Sequence, residues 1–406
     1  MEIAASLPPQ ALTQTRATYR IDSIDFLRGL VMIIMALDHT RDFFHREAFI
    51  DDPLNLATTT PILFFTRWIT HFCAPVFVFL AGTSAYFQSL RKSKQELSLF
   101  LITRGLWLIL MEITFVNFAF SFDTDFGITG LQTIWSIGIS MVILGLFIWL
   151  PFPAVLITGL LIVLCHNTLD PFEATRIRQP ISITYDLLHR VNFHHLWGNH
   201  NLLILYPFLP WTGLMMVGYG FGKLFTSYEG EKRKRILTWL GFGVIAYFIA
   251  LRISNAYGDA NHWSQQKNLL YSALSFINTV KYPPSLLYMC MTIGPAILFL
   301  AFAGNVKNRF TRIVTVYGRV PFLFYILHFY VLHTLSTIFF LARGHSFNEG
   351  LKIYPNSLSK FIIPGEGYSL WIVYLVWIGV VALLYPICKW FSDYKREHKQ
   401  WWLSYL

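Results

Sequence analysis

Long runs of apolar residues alternate with short charged segments along almost the whole chain. Many of these runs approach the ~20 residues that an α-helix needs to cross the hydrocarbon core of a bilayer. The pattern predicts an all-α fold, a polytopic transmembrane bundle of about ten helices. The fifth span is short and the ninth is long, which allows for tilt or a re-entrant piece. The predicted spans, drawn to within ~2–4 residues at each end, are about 24–44, 68–90, 97–120, 130–150, 152–167, 201–222, 236–253, 284–304, 313–340 and 369–390.

The composition excludes an ordinary soluble domain. Of the 406 residues, 55% are hydrophobic and 13% are charged, whereas soluble domains are about 25% charged. The net charge of +10 is also typical of proteins that bind nucleic acid. The basic residues cluster in short loops between apolar runs, however, where membrane topology accounts for them. We therefore expect the lipid bilayer as a partner, and no nucleic acid.

The basic loops also predict the orientation of the chain in the membrane. The segments "RKSK", "EGEKRKR" and "NVKNRFTR" and the tail "DYKREHKQ" fall on one side of such a bundle. Lys and Arg collect in cytoplasmic loops, so both termini are predicted to be cytoplasmic. The predicted organisation is a flexible cytoplasmic N-terminus (1–19), one transmembrane domain (20–390) and a basic cytoplasmic tail (391–406).

Three arginines fall inside predicted spans, near the cytoplasmic side. Arg28 lies in the first span, and Arg104 and Arg319 lie about two turns into the third and ninth spans. A charged side chain at a helix centre costs ~2.5–3.5 kcal/mol on insertion scales, so each is a candidate for function. Guanidinium forks suit phosphates, and the three together predict an anionic-ligand site. The alternative is structural, with Arg28 paired to Asp25 and the others reaching the membrane interface.

A second group of ionisable residues lies toward the outer side of the spans and supplies candidates for proton transfer. Histidine is the usual general base near neutral pH because its ordinary pKa is ~6.5. We expect His39 to be the base, with Asp42 at i+3 as its orienting carboxylate. The alternative for each histidine is a hydrogen-bonded packing role. The predicted catalytic set is Asp38, His39, Asp42, His71, Glu112 and His328.

Helical geometry relates several of these residues to each other. Arg28 and His39 are eleven residues apart, which places them on the same side of one helix and ~16 Å apart along its axis. This spacing suits a tunnel with a phosphate anchor at the cytoplasmic end and proton chemistry further out. In the second span, Arg67 and His71 share a helix face. Pro75 frees the carbonyl of His71, so we expect a kink and a polar pocket there.

Metal binding is not expected. The outer loop "HRVNFHHLWGNHNLL" holds His189, His194, His195 and His200, but their irregular spacing fits no zinc motif. The four cysteines also lack metal-site spacing and are interpreted as buried free thiols. The histidine-rich loop is better interpreted as a polar and aromatic lining of a substrate entrance.

Five segments carry a family resemblance: "RIDSIDFLRGLVMIIMALDHTRDFF", "TRWITHFCAPVFVFLAGTSAYF", "YPFLPWTGLMMVGYGFG", "KYPPSLLYMCMTIGPAILFLA" and "YGRVPFLFYILHFYVLH". Together they resemble a bacterial membrane family related to the catalytic domain of heparan-α-glucosaminide N-acetyltransferase, over about 20–390. That family is similar to a wider superfamily of membrane acyltransferases that modify bacterial sugars. Those carry an arginine, ten residues, then a histidine on the first helix, as Arg28 and His39 do here. Tyr325 to His328 resembles their late "YxxH" segment.

The resemblance implies acyl transfer across a bacterial inner (cytoplasmic) membrane. The implied donor is acetyl-CoA or another acyl-CoA on the cytoplasmic side, and the acceptor is a sugar or glycan on the outer side. In the lysosomal enzyme the active histidine lies between the first two helices, where this chain offers His45 and His71. The lysosomal acceptor is a terminal glucosamine of heparan, and a bacterial acceptor is expected to be another sugar or glycan.

Two other functions fit the same residues. A proton-coupled transporter or flippase of a small polar or glycan substrate also uses buried His, Asp and Glu as proton relays. It is distinguished by substrate flux that does not require CoA. A structural membrane protein is the third alternative, although polar groups at matched depths on several spans argue against it.

Overall fold

The computed structural model describes residues 22–176, 182–306, 308–354 and 357–405, and the predicted N-terminal segment 1–19 lies outside them. The described chain is mostly helical. Its α-helices are α1 (Asp22–Phe44), α2 (Pro61–Trp68), α3 (Cys73–Ser89), α4 (Lys94–Met111), α5 (Asn117–Ser121), α6 (Thr133–Phe147), α7 (Phe152–Cys165), α8 (Asp170–Ala174), α9 (Ile183–Leu188), α10 (Phe208–Ser227), α11 (Gly230–Ser254), α12 (Leu269–Ile277), α13 (Leu286–Phe302), α14 (Arg309–Arg319), α15 (Pro321–Ala342), α16 (Phe347–Gly350) and α17 (Leu370–Glu397). The segments Ile69–Phe72, His166–Leu169, Ala303–Asn305 and Trp401–Ser404 are 3₁₀-helical, and Glu112–Val116 is π-helical.

Six helical segments among the described residues are long and apolar enough to cross a membrane. Helices α6 and α13 are apolar but shorter, and α1 has 23 residues but carries many of the charged groups. The chain is therefore a multi-pass membrane protein, whereas the count of about ten spans and the orientation of the termini stay predictions. The six segments are Pro61–Ser89, Lys94–Ser121, Phe152–Ala174, Gly230–Ser254, Pro321–Ala342 and Leu370–Glu397.

A small sheet corrects the prediction of an all-α fold. Strands β1 (Ile128–Leu131), β2 (Asn192–Trp197) and β3 (His200–Ile204) form it in the order β1–β3–β2. Strand β3 runs parallel to β1 and antiparallel to β2. The span predicted at 201–222 was therefore wrong at its start, because its first residues pair in the sheet and the helix begins at Phe208.

The span predicted at 313–340 is not one helix. Helix α14 ends at Arg319, Val320 leaves the helical region with φ −132° and ψ 50°, and α15 begins at Pro321. Proline disfavours a helical residue before it and suits the first position of a new helix. Arg319 therefore lies at the break between two helices, not two turns inside a continuous span.

The predicted basic tail continues the last transmembrane segment. Helix α17 extends to Glu397, and the following 3₁₀ turn brings the Tyr405 hydroxyl to 2.8 Å from the hydroxyl of Thr103 on α4. The last turns of α17 are thereby held close to α4.

Two glycines let α1 and α14 cross in close contact. A Cβ atom on Gly29 would collide with the backbone oxygen of Val314, and one on Gly318 would collide with the backbone oxygen of Asp25. Small residues are the usual means by which membrane helices bring their backbones together. The neighbours of the two glycines are Arg28 and Arg319, so this crossing sets the distance between two of the predicted phosphate ligands.

We expect Gly318→Ala to destabilise the protein by about 1–3 kcal/mol, because the new methyl group has no room and the helices must separate. The measurement is thermal unfolding of the detergent-solubilised protein. Gly243→Ala is the matched control, since a Cβ at that helical position meets nothing within 4 Å. An unchanged unfolding temperature in Gly318→Ala would contradict the close crossing.

Candidate functional site

The three predicted arginines line one cavity. Arg28 on α1, Arg104 on α4 and Arg319 at the end of α14 surround a space of about 280 Å³, which we call the arginine cavity. Lys395 on α17 also lines it, so the predicted tail contributes a fourth cation. Like charges around one space repel each other, and a bound polyanion relieves that repulsion. The arrangement is suited to phosphate groups.

The structural alternative for Arg28 is observed as well. Its guanidinium lies 3.2 Å from the Asp25 carboxylate and donates to the Ser84 hydroxyl at 2.9 Å and to the Gly318 carbonyl at 3.3 Å. Arg319 differs, because its buried Nε has no hydrogen-bond partner among the described residues. Arg28 thus holds α1, α3 and α14 together in addition to lining the cavity.

The walls of the arginine cavity lead to three of the predicted catalytic residues. Residues three or four positions apart on a helix lie on the same face, so each wall can be followed one turn beyond its last lining residue. In three helices, the residue one turn beyond the last residue that lines the cavity is ionisable. These pairs are Met35 and His39 on α1, Leu108 and Glu112 beyond α4, and Tyr325 and His328 on α15.

His39 and His328 form a hydrogen-bonded pair. His328 Nδ1 lies 3.1 Å from the Phe324 carbonyl oxygen, which can only accept, so this nitrogen carries the proton. His328 Nε2 must then accept from His39 Nδ1, at 2.6 Å. The network leaves His39 Nε2 unprotonated, on the side of the ring that is not engaged with His328. His39 is therefore held as a base with its lone pair available.

Aromatic rings fix the orientation of this pair. Phe329 stacks on His39 with ring centroids 4.2 Å apart, and Tyr325 packs edge-on to His39 at 6.3 Å. His328 is fully buried, whereas His39 is half-buried. Tyr325 packs against both imidazole rings and also lines the arginine cavity, so the histidine pair lies beside the cavity wall.

Glu112 is a fully buried carboxylate at the start of the π-helical segment. Its Oε2 accepts a hydrogen bond from the Trp135 backbone nitrogen at 2.9 Å, in the first turn of α6. Its Oε1 is buried with no partner among the described residues. The neighbours of Trp135, Thr133 and Ile134, line the arginine cavity, which places Glu112 behind the cavity wall.

The two predicted aspartates belong to a separate ionic network. Asp38 pairs with Arg67 and with Arg41 at 3.2 Å, and Lys281 lies 3.9 Å away. Asp42 accepts from Arg41 at 2.6 Å. The prediction that Asp42 orients His39 was therefore wrong, because Arg41 takes that carboxylate and His328 orients the imidazole.

His71 lies beside this ionic network. It falls in the 3₁₀ segment between α2 and α3, so the α-helical face predicted for Arg67 and His71 is interrupted. Its ring packs on Tyr288, and its carbonyl oxygen, which receives no N–H from Pro75, accepts from the Tyr288 hydroxyl at 2.8 Å. Neither ring nitrogen has a hydrogen-bond partner in the described residues, and the ring is fully buried.

Two residues near Asp38 were missed in the sequence. Lys281 is buried and close to Asp38, and Tyr282 follows it between α12 and α13. Burial alone would raise the pKa of the Tyr282 hydroxyl, but the charges of Lys281 and Arg67 hold it below its ordinary value. A single lysine directly before the apolar run "YPPSLLYM" was the available signal.

One group of side chains around α8 and after α9 has the spacing of metal ligands. Asp170, Glu173 and His189 each offer a donor atom within 4.8 Å of the others. Glu173 already lies 2.7 Å from His189 Nδ1, so hydrogen bonding satisfies part of the group without an ion. His194 similarly pairs with Asp186 at 2.8 Å. The expectation of no metal stays a prediction.

Comparison with protein families gives a match. The family model described as heparan-alpha-glucosaminide N-acetyltransferase, catalytic, matches residues 20–252, which is more than half of the chain. The matched region contains Arg28, His39, Arg104 and Glu112. A comparison with curated proteins finds no match.

Proposed function

The chain belongs to the heparan-alpha-glucosaminide N-acetyltransferase catalytic family, and from this premise we propose an integral-membrane acyltransferase of the bacterial inner membrane. It moves an acetyl or related acyl group from acyl-CoA on the cytoplasmic side to a sugar or glycan on the outer side. The observation that carries the proposal is the arginine cavity, whose walls continue to the His39–His328 pair.

The donor binds with its phosphates against the guanidiniums of Arg28, Arg104 and Arg319. Arginine forms charge-assisted hydrogen bonds with phosphate in bidentate geometry, and Lys395 adds a point charge at the same cavity. Apolar residues such as Met32, with Met35 and Leu108, line the space between the cations and the histidines. That lining suits the pantetheine arm, which carries the thioester toward His39.

His39 then acts as the general base. Its Nε2 takes a proton from the acceptor amine or hydroxyl, whose nitrogen or oxygen attacks the thioester carbonyl. The new bond to the acyl carbon forms as the carbon–sulfur bond breaks, and the CoA thiolate receives a proton from the His39 imidazolium. Tyr325, one turn before His328, offers its hydroxyl to the carbonyl oxygen while negative charge develops there.

Ligand-induced stabilisation tests this function. Acetyl-CoA at 100-fold over its Kd is expected to stabilise the detergent-solubilised protein by ~2.7 kcal/mol, read as a higher unfolding temperature. S-acetyl-N-acetylcysteamine carries the thioester without the nucleotide phosphates, so it should give a much smaller shift at the same concentration. Transfer of labelled acetyl to a sugar acceptor is the second readout. No shift with acetyl-CoA, together with CoA-independent sugar flux in proteoliposomes, would support the transporter instead.

A further inference from the structure

A second and larger cavity lies where the last turns of α17 meet α14. It has a volume of about 660 Å³, and we call it the α14–α17 cavity. The start of α1 and the turn after α13 complete its walls. Arg319 lines both this cavity and the arginine cavity, so the two spaces adjoin at this side chain. The charged residues that line it are Asp22, Arg309, Arg312, Arg319, Lys389 and Asp393.

The charged side chains of the α14–α17 cavity carry a net positive charge. Lys389 lies 2.9 Å from Asp393 on the same helix, so these two charges compensate each other. Three guanidiniums and one carboxylate remain in the lining, and they belong to Arg309, Arg312, Arg319 and Asp22. An anion bound in the cavity relieves this excess of positive charge.

Helix α14 holds two of these arginines at the edge of the bundle. It has 11 residues, a length of about 16 Å, which is too short to cross the ~30 Å hydrocarbon core. Val314 and Tyr317 are buried, whereas Arg309, Phe310 and Arg312 are exposed. Basic and aromatic side chains together at an exposed helix end are typical of the headgroup region of a bilayer. The cavity is therefore placed to meet lipid headgroups, at the end of the bundle predicted to be cytoplasmic.

Exposed apolar side chains surround the α14–α17 cavity. Val306, in its lining, is 47% exposed, and Phe310 and Trp390, which adjoin lining residues on α14 and α17, are 59% and 64% exposed. Leu383 and Ile387 are also exposed, and with Trp390 they have the i, i+4, i+7 spacing of one helix face. We call this face the α17 stripe. A water-soluble anion gains nothing from such surroundings, whereas a phospholipid uses both the cations and the apolar stripe.

We infer that the α14–α17 cavity binds the headgroup of an anionic phospholipid. Arg309 and Arg312 donate charge-assisted hydrogen bonds to the lipid phosphate, and one acyl chain lies along the α17 stripe. A zwitterionic phosphatidylcholine is disfavoured, because its choline cation would enter a cavity that already carries a net positive charge. The inference is independent of acyl transfer, since bound lipid can be measured on protein that has no activity.

Native mass spectrometry of the detergent-solubilised protein measures this binding directly. The protein is titrated with phosphatidylglycerol or with phosphatidylcholine that carries the same acyl chains. Phosphatidylglycerol should bind at least ~10-fold more tightly, because each of the two arginines contributes about fivefold to the affinity for an anionic headgroup and the choline cation offsets that gain. Arg309→Gln and Arg312→Gln should each weaken the binding of phosphatidylglycerol about fivefold, and the double variant should lose more than either alone.

Arg235→Gln is the matched control. Arg235 is an exposed arginine near the start of α11, in a basic segment predicted to lie on the same side of the membrane, and it does not line the cavity. Both substituted arginines of α14 are exposed, so their replacement should leave the unfolding temperature unchanged in the absence of added lipid. Equal affinity for the two lipids in the wild type, or equal affinity for phosphatidylglycerol in the double variant and in Arg235→Gln, would overturn the inference.

Two further titrations separate a lipid from a water-soluble anion. Inorganic phosphate should not displace phosphatidylglycerol from the wild type, since it cannot use the α17 stripe. The Kd for acetyl-CoA should be unchanged in Arg309→Gln and Arg312→Gln, because neither residue lines the arginine cavity. Displacement of the lipid by inorganic phosphate would assign the cavity to a free anion, and weaker acetyl-CoA binding in these variants would assign it to the donor; either result overturns the inference.

Discussion

Replacing His39 by alanine is expected to lower the kcat of acyl transfer by about 10²–10⁴-fold, the usual contribution of a positioned general base. The Kd for acetyl-CoA should change little, because Arg28 lies about 16 Å from His39 along α1 and the other two arginines line the same cavity as Arg28. Kinetics of labelled acetyl transfer and donor titration, on protein with an unchanged unfolding temperature, measure both quantities. Full activity in His39→Ala would remove this residue from the mechanism.

His328 gives the sharper control, because it acts only through His39. His328→Leu removes the acceptor that holds the proton on His39 Nδ1, so kcat should fall with the Kd for donor unchanged. In His328→Gln the side-chain oxygen can accept the hydrogen bond from His39 Nδ1. This variant should therefore keep most of the activity that His328→Leu loses. Equal loss in both variants would show that His328 serves packing alone. His345→Ala, in the loop before α16, is the control for the loss of a histidine elsewhere.

The sequence predicted the relative positions of site residues best where both residues lie on one continuous helix. Arg28 and His39 share a continuous helix, so the spacing of 3.6 residues per turn was enough to place them on one side. Arg28, Arg104 and Arg319 were grouped by depth, and they line one cavity. Depth along a span follows from the sequence because the bilayer fixes where each apolar run begins and ends.

Partners across the fold could not be predicted in the same way. Asp42 was assigned to His39 by its i+3 position, but the Arg41 guanidinium carries a full charge and lies 2.6 Å from that carboxylate, so the two pair. His328 reaches His39 from α15, and Lys281 reaches Asp38 from the loop before α13. These contacts depend on how helices pack, which no local pattern records.

Breaks within apolar runs were the other source of error. The run from 313 to 340 has the composition of a span, yet Pro321 divides it, and the consequence is functional because Arg319 gains a place at a helix end beside the cavity. The run after 201 begins as strand β3 because β1 and β2 are available to pair with it. Proline was a visible signal in the first case, whereas the second required tertiary structure.

Removing two of the arginines is expected to weaken donor binding strongly while sparing the chemistry. A hydrogen bond to a charged group contributes about 1.5–3 kcal/mol, so Arg104→Gln or Arg319→Gln alone should raise the Kd for acetyl-CoA by about 10–150-fold. The double variant should lose less than the product of the two effects, because both side chains bind the same polyanion. Arg28 is unsuitable for this test, since its contacts with Asp25 and Ser84 also hold helices together.

Arg396→Gln is the matched control, because this residue adjoins Lys395 on α17 but does not line the arginine cavity. Arg319→Lys should restore only part of the affinity, since lysine keeps the charge but lacks the bidentate fork. A kcat at saturating donor that stays within a few-fold of wild type would show that the cations hold the donor and take no part in proton transfer. If the Kd is instead unchanged and kcat falls, the donor must enter by another route, and the assignment of cytoplasmic and outer ends to the cavity would have to be reversed.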